Sequence, residues 1–262
     1  KARQKDLDRL VHPFMLRRTK EKVLAELPEK TEIYQTVDLS DEEMAVYEII
    51  REKAEQMLES EGSEKVSINT LAEITRLRQA ACSAALVEKQ WKGKTSKVEA
   101  LLEALEPIVE SGDSVLVFSQ FTSFLSIVKK ALDKAKVPYL YIDGSVSVKE
   151  RQKLVEQFQK GECPVFVISL KAGGLGLNLT RANYVFHLDP WWNPAIEQQA
   201  TDRAYRIGQH NAVTVYHFLS AGTIEEKIKR LHDRKRDLAE NILDGTDMSG
   251  KITGRQLLEM IR

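Results

Sequence analysis

Residues 165–188 read VFVISLKAGGLGLNLTRANYVFHL, two apolar segments joined by a polar loop that contains three glycines. The segments 165–169 and 184–188 are rich in valine, isoleucine, phenylalanine and tyrosine, the residue types that β-strands favour. Both are apolar over most of their length, as parallel strands are when helices cover both faces of their sheet. We therefore predict two buried strands here, with the glycine loop following the first.

Further predicted strands, alternating with amphipathic helices, lie on both sides of this stretch. Further strands are predicted at residues 114–118, 139–142 and 213–219, and amphipathic helices at 97–110, 123–135, 149–158 and 195–207, with a last long helix from about residue 223. This alternation of strands and helices predicts an α/β fold, in which an open, mainly parallel sheet carries helices on both faces.

The first third of the chain lacks this alternation. Residues 5–60 show mostly helical spacing of apolar residues, interrupted by a strand-like segment at 33–39 and by Ser40, an N-cap that precedes three acidic residues. A further helix carries Leu71 and Leu77, and the polar residues 87–96 resemble a linker. We therefore divide the chain near residue 95 into an accessory helical segment with a linker (1–95) and the sheet domain with its C-terminal helices (96–262).

The composition excludes several classes of protein. The 39 basic and 39 acidic residues cancel, which excludes a generally basic nucleic-acid coat and an acidic tail. Cys82 and Cys163 lie too far apart for a zinc motif, so neither a disulfide framework nor a metal site is predicted. Apolar runs are too short to span a bilayer, and the start at Lys1 has neither Met nor a signal core. We expect a piece of a longer intracellular protein.

Polar loops follow four of the predicted strands. In open α/β sheets, ligands bind beyond the carboxyl ends of the strands, so these loops indicate one working edge. The loops are residues 119–122, 143–145, 169–179 and 189–194.

The glycine loop does not fit the known phosphate-binding motifs. A dinucleotide fingerprint requires glycine where Leu179 stands, and a P-loop requires lysine after the glycines, whereas Lys171 precedes them. Gly93-Lys94-Thr95 fails too, because Glu88 occupies the first glycine position, and no strand ends in Asp-Glu to hold Mg²⁺. The loop is either a close approach to a phosphate or a tight turn, and no complete nucleotide site can be assembled.

The predicted helix around residues 197–208 carries two arginines. Arg203 and Arg206 are three residues apart, which on a helix places both guanidinium groups on one face. Arginine suits phosphate oxygens because its planar fork stays charged, and Asp202 is placed to orient one fork. The alternative is a solvated helix face with a surface acid.

These residues resemble the motor proteins of superfamily two of the Swi–Snf type. Residues 199–209, QATDRAYRIGQ, look like motif VI of that family, and 189–194 resemble the segment before it. Residues 169–179 resemble motif V, 115–121 motif IV, and Asp143-Gly144 with Arg151 the element after it. Residues 12–20 and Leu27-Pro28 resemble the bridge out of the first motor lobe.

The resemblance implies that the chain is the second RecA-like lobe of a double-stranded-DNA translocase. ATP with Mg²⁺ is then held mainly by a first lobe of the same protein, and Arg203 and Arg206 supply arginine fingers. Gly176, Gln199 and Asp202 lie near the nucleotide in this assignment. The fragment alone is expected to hydrolyse no ATP, because it lacks the P-loop lysine and the metal-binding acids.

The resemblance also implies contacts with DNA. Lys171 and nearby backbone amides would hold phosphates irrespective of sequence, and Trp192 would wedge at the minor groove or stack on sugars. Trp191 is expected in the core. The predicted DNA-binding residues are Gln120, Phe121, Lys171, Ala172, Gly173 and Trp192. A protein bound to the DNA is a further expected partner, in the cytoplasm or nucleoid of a prokaryote or in a eukaryotic nucleus.

Two other functions remain open from the sequence. One is the lobe of a helicase that separates strands, against which the Trp-Asn-Pro and Arg-Ile-Gly-Gln segments argue. The other is a DNA- or protein-binding module without catalysis, against which the intact Arg203 and Arg206 argue.

Overall fold

A computed structural model of the chain describes residues 27–61, 68–172, 176–241 and 261–262. The strands within these ranges are β1 (Lys30–Val37), β2 (Val115–Ser119), β3 (Tyr139–Ile142), β4 (Val165–Ser169), β5 (Tyr184–His187) and β6 (Val213–Ser220). The helices are α1 (Asp41–Glu61), α2 (Ile68–Cys82), α3 (Ser96–Glu110), α4 (Thr122–Lys134), α5 (Val148–Lys160), α6 (Pro194–Thr201) and α7 (Ile224–Asn241), with a short 3₁₀ helix at Ala84–Leu86.

The strands form one parallel sheet in the order β1-β6-β5-β2-β4-β3. β2 lies between β4 and β5, so that Val115 faces both Val165 and Tyr184 in register. Every residue of β2 and β4 is buried, which explains why their sequences are continuous apolar runs. The predicted α/β class with an open parallel sheet is confirmed.

Helices cover the sheet on both faces. On one face, α3 and α4 bury residues such as Leu101, Leu105, Phe124 and Val128 against β2, β4 and β5. On the other face, Phe158 of α5 and Ala200 of α6 belong to a second buried cluster, together with the alternate residues of the same strands. Because side chains alternate across a strand, one set of strands supplies both cores.

β1 belongs to this sheet although it lies before the predicted boundary near residue 95. It pairs with β6 along its full length, from Lys30 opposite Val213 to Val37 opposite Ser220. Residues 1–95 are therefore not only a helical segment, because they supply an edge strand. The division near residue 95 follows the composition of the chain, whereas the sheet crosses it.

α1 and α2 pack with α7 around a third cluster, which includes Tyr47, Leu77 and Ile228. The predicted cap of α1 is present, since the Glu43 N–H donates to Ser40 Oγ at 3.3 Å and the Ser40 N–H donates to Glu43 Oε2 at 3.2 Å. The Tyr47 hydroxyl accepts a hydrogen bond from the Ile224 N–H at 2.7 Å, at the start of α7. The accessory helices are thus joined to the C-terminal helix.

Candidate functional site

A buried carboxyl group, Asp189, organises the carboxyl edge of the sheet. It follows β5 and is 2 % exposed. Ser119 Oγ, at the end of β2, donates to Asp189 Oδ1, and Gln120 Nε2 donates to Asp189 Oδ2 at 2.5 Å. Burial raises the pKa of Asp189, while these hydrogen bonds and the charge of Arg78 oppose the rise. The loops after β2 and β5 are therefore fixed to each other.

The Gln120 side chain is buried in this network rather than presented at the surface. Its amide group also lies 3.4 Å from the Pro190 carbonyl oxygen. Through these hydrogen bonds, the Gln120 side chain positions the loop after β2. To contact DNA, as predicted, it would have to break its bonds to Asp189 and Pro190.

Arg78 of α2 connects the predicted DNA-binding aromatic residues. Its guanidinium carbon lies 5.7 Å from the centre of the Phe121 ring and 4.8 Å from that of Trp192. Arg78 Nη2 donates to the Pro190 carbonyl oxygen at 2.7 Å. The rings are thus held by a buried cation, which desolvation strengthens. Sequence reasoning missed Arg78, and the available signal was its place four residues after Ile74 and four before Cys82, on the apolar face of α2.

The adjacent tryptophans have different surroundings. Trp191 packs against the cluster that α5 and α6 cover, and its backbone N–H donates to Glu197 Oε1 at 2.6 Å. Trp192 is partly buried against the cluster of α1, α2 and α7. Trp191, expected in the core, is partly buried at the edge of that cluster, while Trp192 lies beside Arg78, on the side of the loops.

The glycine loop has buried and exposed members. Lys171 is exposed and Ala172 is buried, whereas Gly173 lies outside the described residues. Gly176 is exposed and has a φ of 21°, at the margin of the region that glycine tolerates best. The Leu170 N–H donates to the Ser119 carbonyl oxygen at 2.9 Å. Lys171 therefore follows directly on a residue fixed to the end of β2.

The helix that carries motif VI is shorter than predicted. α6 ends at Thr201, and turns occupy residues 202–208. Gln209 explains the ending, because its buried side-chain amide donates to the carbonyl oxygens of Thr180, Ala182 and Ala204. These bonds draw the chain back to the start of β5. The prediction that one helical face carries Arg203 and Arg206 is wrong.

Arg203 and Arg206 differ in their exposure. Arg203 is 5 % exposed, whereas Arg206 is partly buried. Arg203 Nε and Nη1 are buried without a hydrogen-bond partner in the described structure. Burial, and then the positive charge of Arg151, lower the pKa of Arg203 to about 10, which leaves it charged at neutral pH. A charged group with unused donors is suited to receive an anion.

Two of the other predicted nucleotide-binding residues, Gln199 and Asp202, lie close to these arginines along the chain. Gln199 is exposed on α6, and Asp202 Oδ1 accepts a hydrogen bond from Gln198 Nε2 at 2.9 Å. Within the described ranges, no group of three His, Cys, Asp or Glu side chains is arranged to hold a metal ion. No described helix has both the length and the apolarity needed to cross a membrane.

A second buried polar group lies under α6. Burial raises the pKa of Glu197 to about 8 and lowers that of His217 to about 4. The 3.6 Å contact between Glu197 Oε2 and His217 Nδ1 therefore joins two neutral groups at pH 7. His217 stacks between Tyr34 and His187, with ring centres 4.8 and 5.1 Å away. This group connects β1, β6, β5 and α6.

Comparison with known proteins shows two domain matches. Residues 1–86 match the SNF2-related domain, and residues 96–208 match the helicase conserved C-terminal domain. A Bacillus subtilis protein named as a proposed ATP-dependent helicase/translocase is 40 % identical over 97 % of this chain. DNA repair protein RAD5A of Arabidopsis thaliana is 39 % identical over 67 % of it. The chain spans 28 % and 17 % of the lengths of these two relatives.

Solved structures agree with these matches. The C-terminal domain of the Sulfolobus solfataricus SWI2/SNF2 ATPase is 31 % identical with a TM-score of 0.65, covering 84 % of this chain and 92 % of that domain. The core of that ATPase in complex with double-stranded DNA is 33 % identical with a TM-score of 0.70, covering 91 % of this chain and 52 % of that one. The C-terminal part of the Fun30 ATPase domain, 22 % identical, shares the fold with a TM-score of 0.69 and covers 90 % of this chain and 97 % of that one.

Proposed function

This chain belongs to the SWI2/SNF2 family as a counterpart of its C-terminal ATPase domain, and from that premise we propose that it is the second motor lobe of an ATP-dependent translocase on double-stranded DNA. The observation that carries the proposal is Arg203, a buried and charged guanidinium in which two donor nitrogens have no acceptor among the described residues. Arg203 and Arg206 stand where the resemblance assigns arginine fingers. They would meet ATP held mainly, with its Mg²⁺, by a first lobe of the same protein.

The proposed role of these arginines is to stabilise negative charge in the transition state. Transfer of the terminal phosphoryl group of ATP spreads negative charge over its oxygens, and an arginine finger that meets this charge accelerates turnover by about 10³–10⁵. Arg203 needs little reorganisation for this task, because its backbone is held by the Leu179 N–H, which donates to the Arg203 carbonyl oxygen at 3.0 Å. Arg206, which is more exposed, would reach across to the first lobe. Gly176, Gln199 and Asp202 would border the nucleotide.

The DNA-binding side of the proposal rests on the loops after β2, β4 and β5. The exposed Lys171 would hold a phosphate, with the backbone amides near Ala172 and Gly173 beside it. Phe121 and Trp192, fixed around Arg78, would contact the sugars or the minor groove. The related Sulfolobus ATPase core was solved with double-stranded DNA, which supports a duplex as the substrate proposed here.

The proposal includes the organisation of the full-length protein. Residues 1–95 would bridge from the first lobe, and residues 96–262 would form the second lobe. Alternating closure of the two lobes on ATP would step them along the duplex. A protein bound to the DNA, inside the cell, would be displaced or moved by this stepping.

The second candidate is a helicase that separates strands, which the names of the relatives favour. A displacement experiment distinguishes the two functions. The full-length protein is given ATP with a DNA triplex or with a forked duplex. A translocase on duplex DNA releases the third strand of the triplex and leaves the fork paired, whereas unwinding of the fork would contradict the proposal.

Lys171→Gln tests the DNA contact in the same experiment, with the exposed Lys153→Gln as the matched control. We expect Lys171→Gln to slow triplex release, because one phosphate contact is lost, and to reduce the salt dependence of duplex binding by about one phosphate contact. Lys153→Gln should behave like the wild type. Equal behaviour of the two variants would remove Lys171 from the interface.

A further inference from the structure

Two buried arginines lie on the sheet face that α5 and α6 cover, since Leu154 of α5, three residues after Arg151, and Ala204, next to Arg203, belong to one cluster. Arg151, in the first turn of α5, is 7 % exposed, and Arg203, after α6, is 5 % exposed. Burial, and after it the positive charge of Arg151, lowers the pKa of Arg203, in agreement with this placement. They reach this place from separate elements, since the Arg151 N–H is bonded to Ser147 at the start of α5 and Arg203 is bonded to Leu179.

Each guanidinium group has N–H donors that no described residue accepts. Arg151 Nη2 donates to the Val146 carbonyl oxygen at 3.2 Å and is 3.5 Å from that of Asp143, which fixes one side of its fork. Arg151 Nε, and Nε and Nη1 of Arg203, are buried and have no hydrogen-bond partner among the described residues. In the described part of the chain, neither side chain forms an ion pair with a carboxylate.

This arrangement costs free energy when nothing is bound. Two buried like charges repel each other, and three buried donor nitrogens lack acceptors among the described residues. An oxyanion placed between them would supply both the missing acceptors and the missing negative charge. Arginine forks match phosphate oxygens in this way, often through two parallel hydrogen bonds.

We propose that Arg151 and Arg203 together form one subsite for the polyphosphate of a nucleotide, with Arg151 as an additional binding residue. The inference rests on the proposed function, which gives Arg203 a role at the nucleotide, and adds to it a residue of α5.

The depth of the two side chains favours a nucleotide polyphosphate over the DNA backbone. Both are less than a tenth exposed, so a compact, flexible chain of phosphates fits them better than phosphates fixed along a stiff duplex. Lys171, which is exposed, is better placed for the duplex. The subsite thus differs from the proposed DNA contact.

Sodium tripolyphosphate is the probe for this subsite. Its affinity for the 262-residue chain is measured by calorimetry at fixed ionic strength, for the wild type, Arg151→Gln, Arg203→Gln and the double variant. We expect saturable binding by the wild type and about a tenfold loss of affinity in each single variant, the factor that corresponds to one lost charged hydrogen bond. The double variant should lose less than the product of the single losses, because both arginines share one ligand.

Two further variants control this measurement. Lys153→Gln removes an exposed positive charge of α5 and should leave the affinity unchanged. Arg151→Lys keeps the charge but loses the planar fork, so its affinity should fall between those of the wild type and Arg151→Gln. Far-ultraviolet circular dichroism establishes folding, and Arg151→Lys decides the result if Arg151→Gln does not fold.

Either of two results would overturn the subsite: no saturable binding by the wild type, or equal affinity in Arg151→Gln and Lys153→Gln. A duplex oligonucleotide is titrated in parallel, and we expect Arg151→Gln to bind it as the wild type does. An equal loss of duplex binding would assign the two arginines to DNA phosphates and contradict the proposal.

The subsite and the proposed function can fail separately. Suppose that Arg206→Ala abolishes DNA-stimulated ATP turnover of the full-length protein, while Arg151→Gln binds tripolyphosphate as tightly as the wild type does. The proposed function is then supported and the subsite is contradicted. If tripolyphosphate binding depends on both Arg151 and Arg203 but the full-length protein hydrolyses no ATP, the subsite is supported and the proposed function is contradicted.

Discussion

Glu197 shows how burial rather than residue type sets the charge of a side chain in this molecule. It lies in the first turn of α6, where its Oε1 atom accepts a hydrogen bond from the Trp191 N–H. With a pKa of about 8, it holds its proton at neutral pH, whereas an unfolded glutamate does not. A proton bound more tightly in the folded state makes the stability depend on pH.

The sign of this dependence can be predicted. Because the folded pKa of Glu197 is raised, its contribution to stability is fully present below about pH 4.5 and is lost as the pH rises through 8. His217, whose folded pKa is lowered, contributes in the opposite sense: its share is present above about pH 6.5 and is lost as the pH falls towards 4.

Glu197→Gln should therefore gain stability relative to the wild type with increasing pH. We expect the difference in the free energy of unfolding to move by roughly 3–4 kcal/mol in favour of the variant between pH 5 and pH 8. Urea unfolding at several pH values measures it, with the exposed Glu156→Gln as the control. Parallel pH profiles of Glu197→Gln and the wild type would show that Glu197 is ionised in the folded protein.

Single residues also mark the limit of what the sequence predicted at the site. The types and spacing of Arg203 and Arg206 led to the site, yet their exposure depends on contacts with distant residues. Arg203 is buried on the same sheet face as Arg151, which is 52 positions earlier in the chain, and no local pattern predicts that placement. Arg78 was missed for the same reason, since its partners lie in the loops after β2 and β5.

At the scale of elements, a buried ion pair joins α3 to α7. Lys97 Nζ lies 2.5 Å from Glu225 Oε2, and neither residue is more than 1 % exposed. The same carboxylate accepts a hydrogen bond from the Ser220 N–H, at the end of β6. The pair thus fixes the start of α7 against the sheet and against α3.

Lys97→Met should destabilise the fold strongly. It leaves Glu225 buried without its counter-charge, which typically costs about 3–5 kcal/mol. Chemical unfolding measures this loss, and a double variant with Glu225→Gln should recover most of it. Lys94→Met removes an exposed pair with Glu99 and should cost less than about 1 kcal/mol. Equal effects of Lys97→Met and Lys94→Met would contradict the structural role of the buried pair.

Element boundaries were predicted well where local chemistry fixes them. The reciprocal bonds between Ser40 and Glu43 start α1, and the apolar runs of β2 and β4 coincide with the strands. The end of α6 was predicted six residues too late, because Gln209 ends it through carbonyl groups near β5. Helix propensity is weak compared with such tertiary bonds.

At the scale of the whole molecule, the sheet joins two segments that the sequence divides. Strand–helix alternation predicted the parallel sheet, because strands covered on both faces must be apolar. The pairing of β1 with β6 was not predictable in this way, since the two strands are almost two hundred residues apart and a pattern in one does not name its partner. With β1 in the sheet, the accessory helices and the lobe form one packed body around α7.

The central claim is that this lobe supplies arginine fingers to an ATPase that duplex DNA stimulates. The most direct test is ATP turnover by the full-length protein at fixed salt, without DNA, with single strands and with duplex, in the wild type, Arg206→Ala and the exposed Arg181→Ala as control. We predict that duplex DNA stimulates the wild type and Arg181→Ala, that Arg206→Ala lowers turnover about 10³-fold, and that the 262-residue chain alone is inactive. Stimulation by single strands only, or full activity of Arg206→Ala, would contradict the claim.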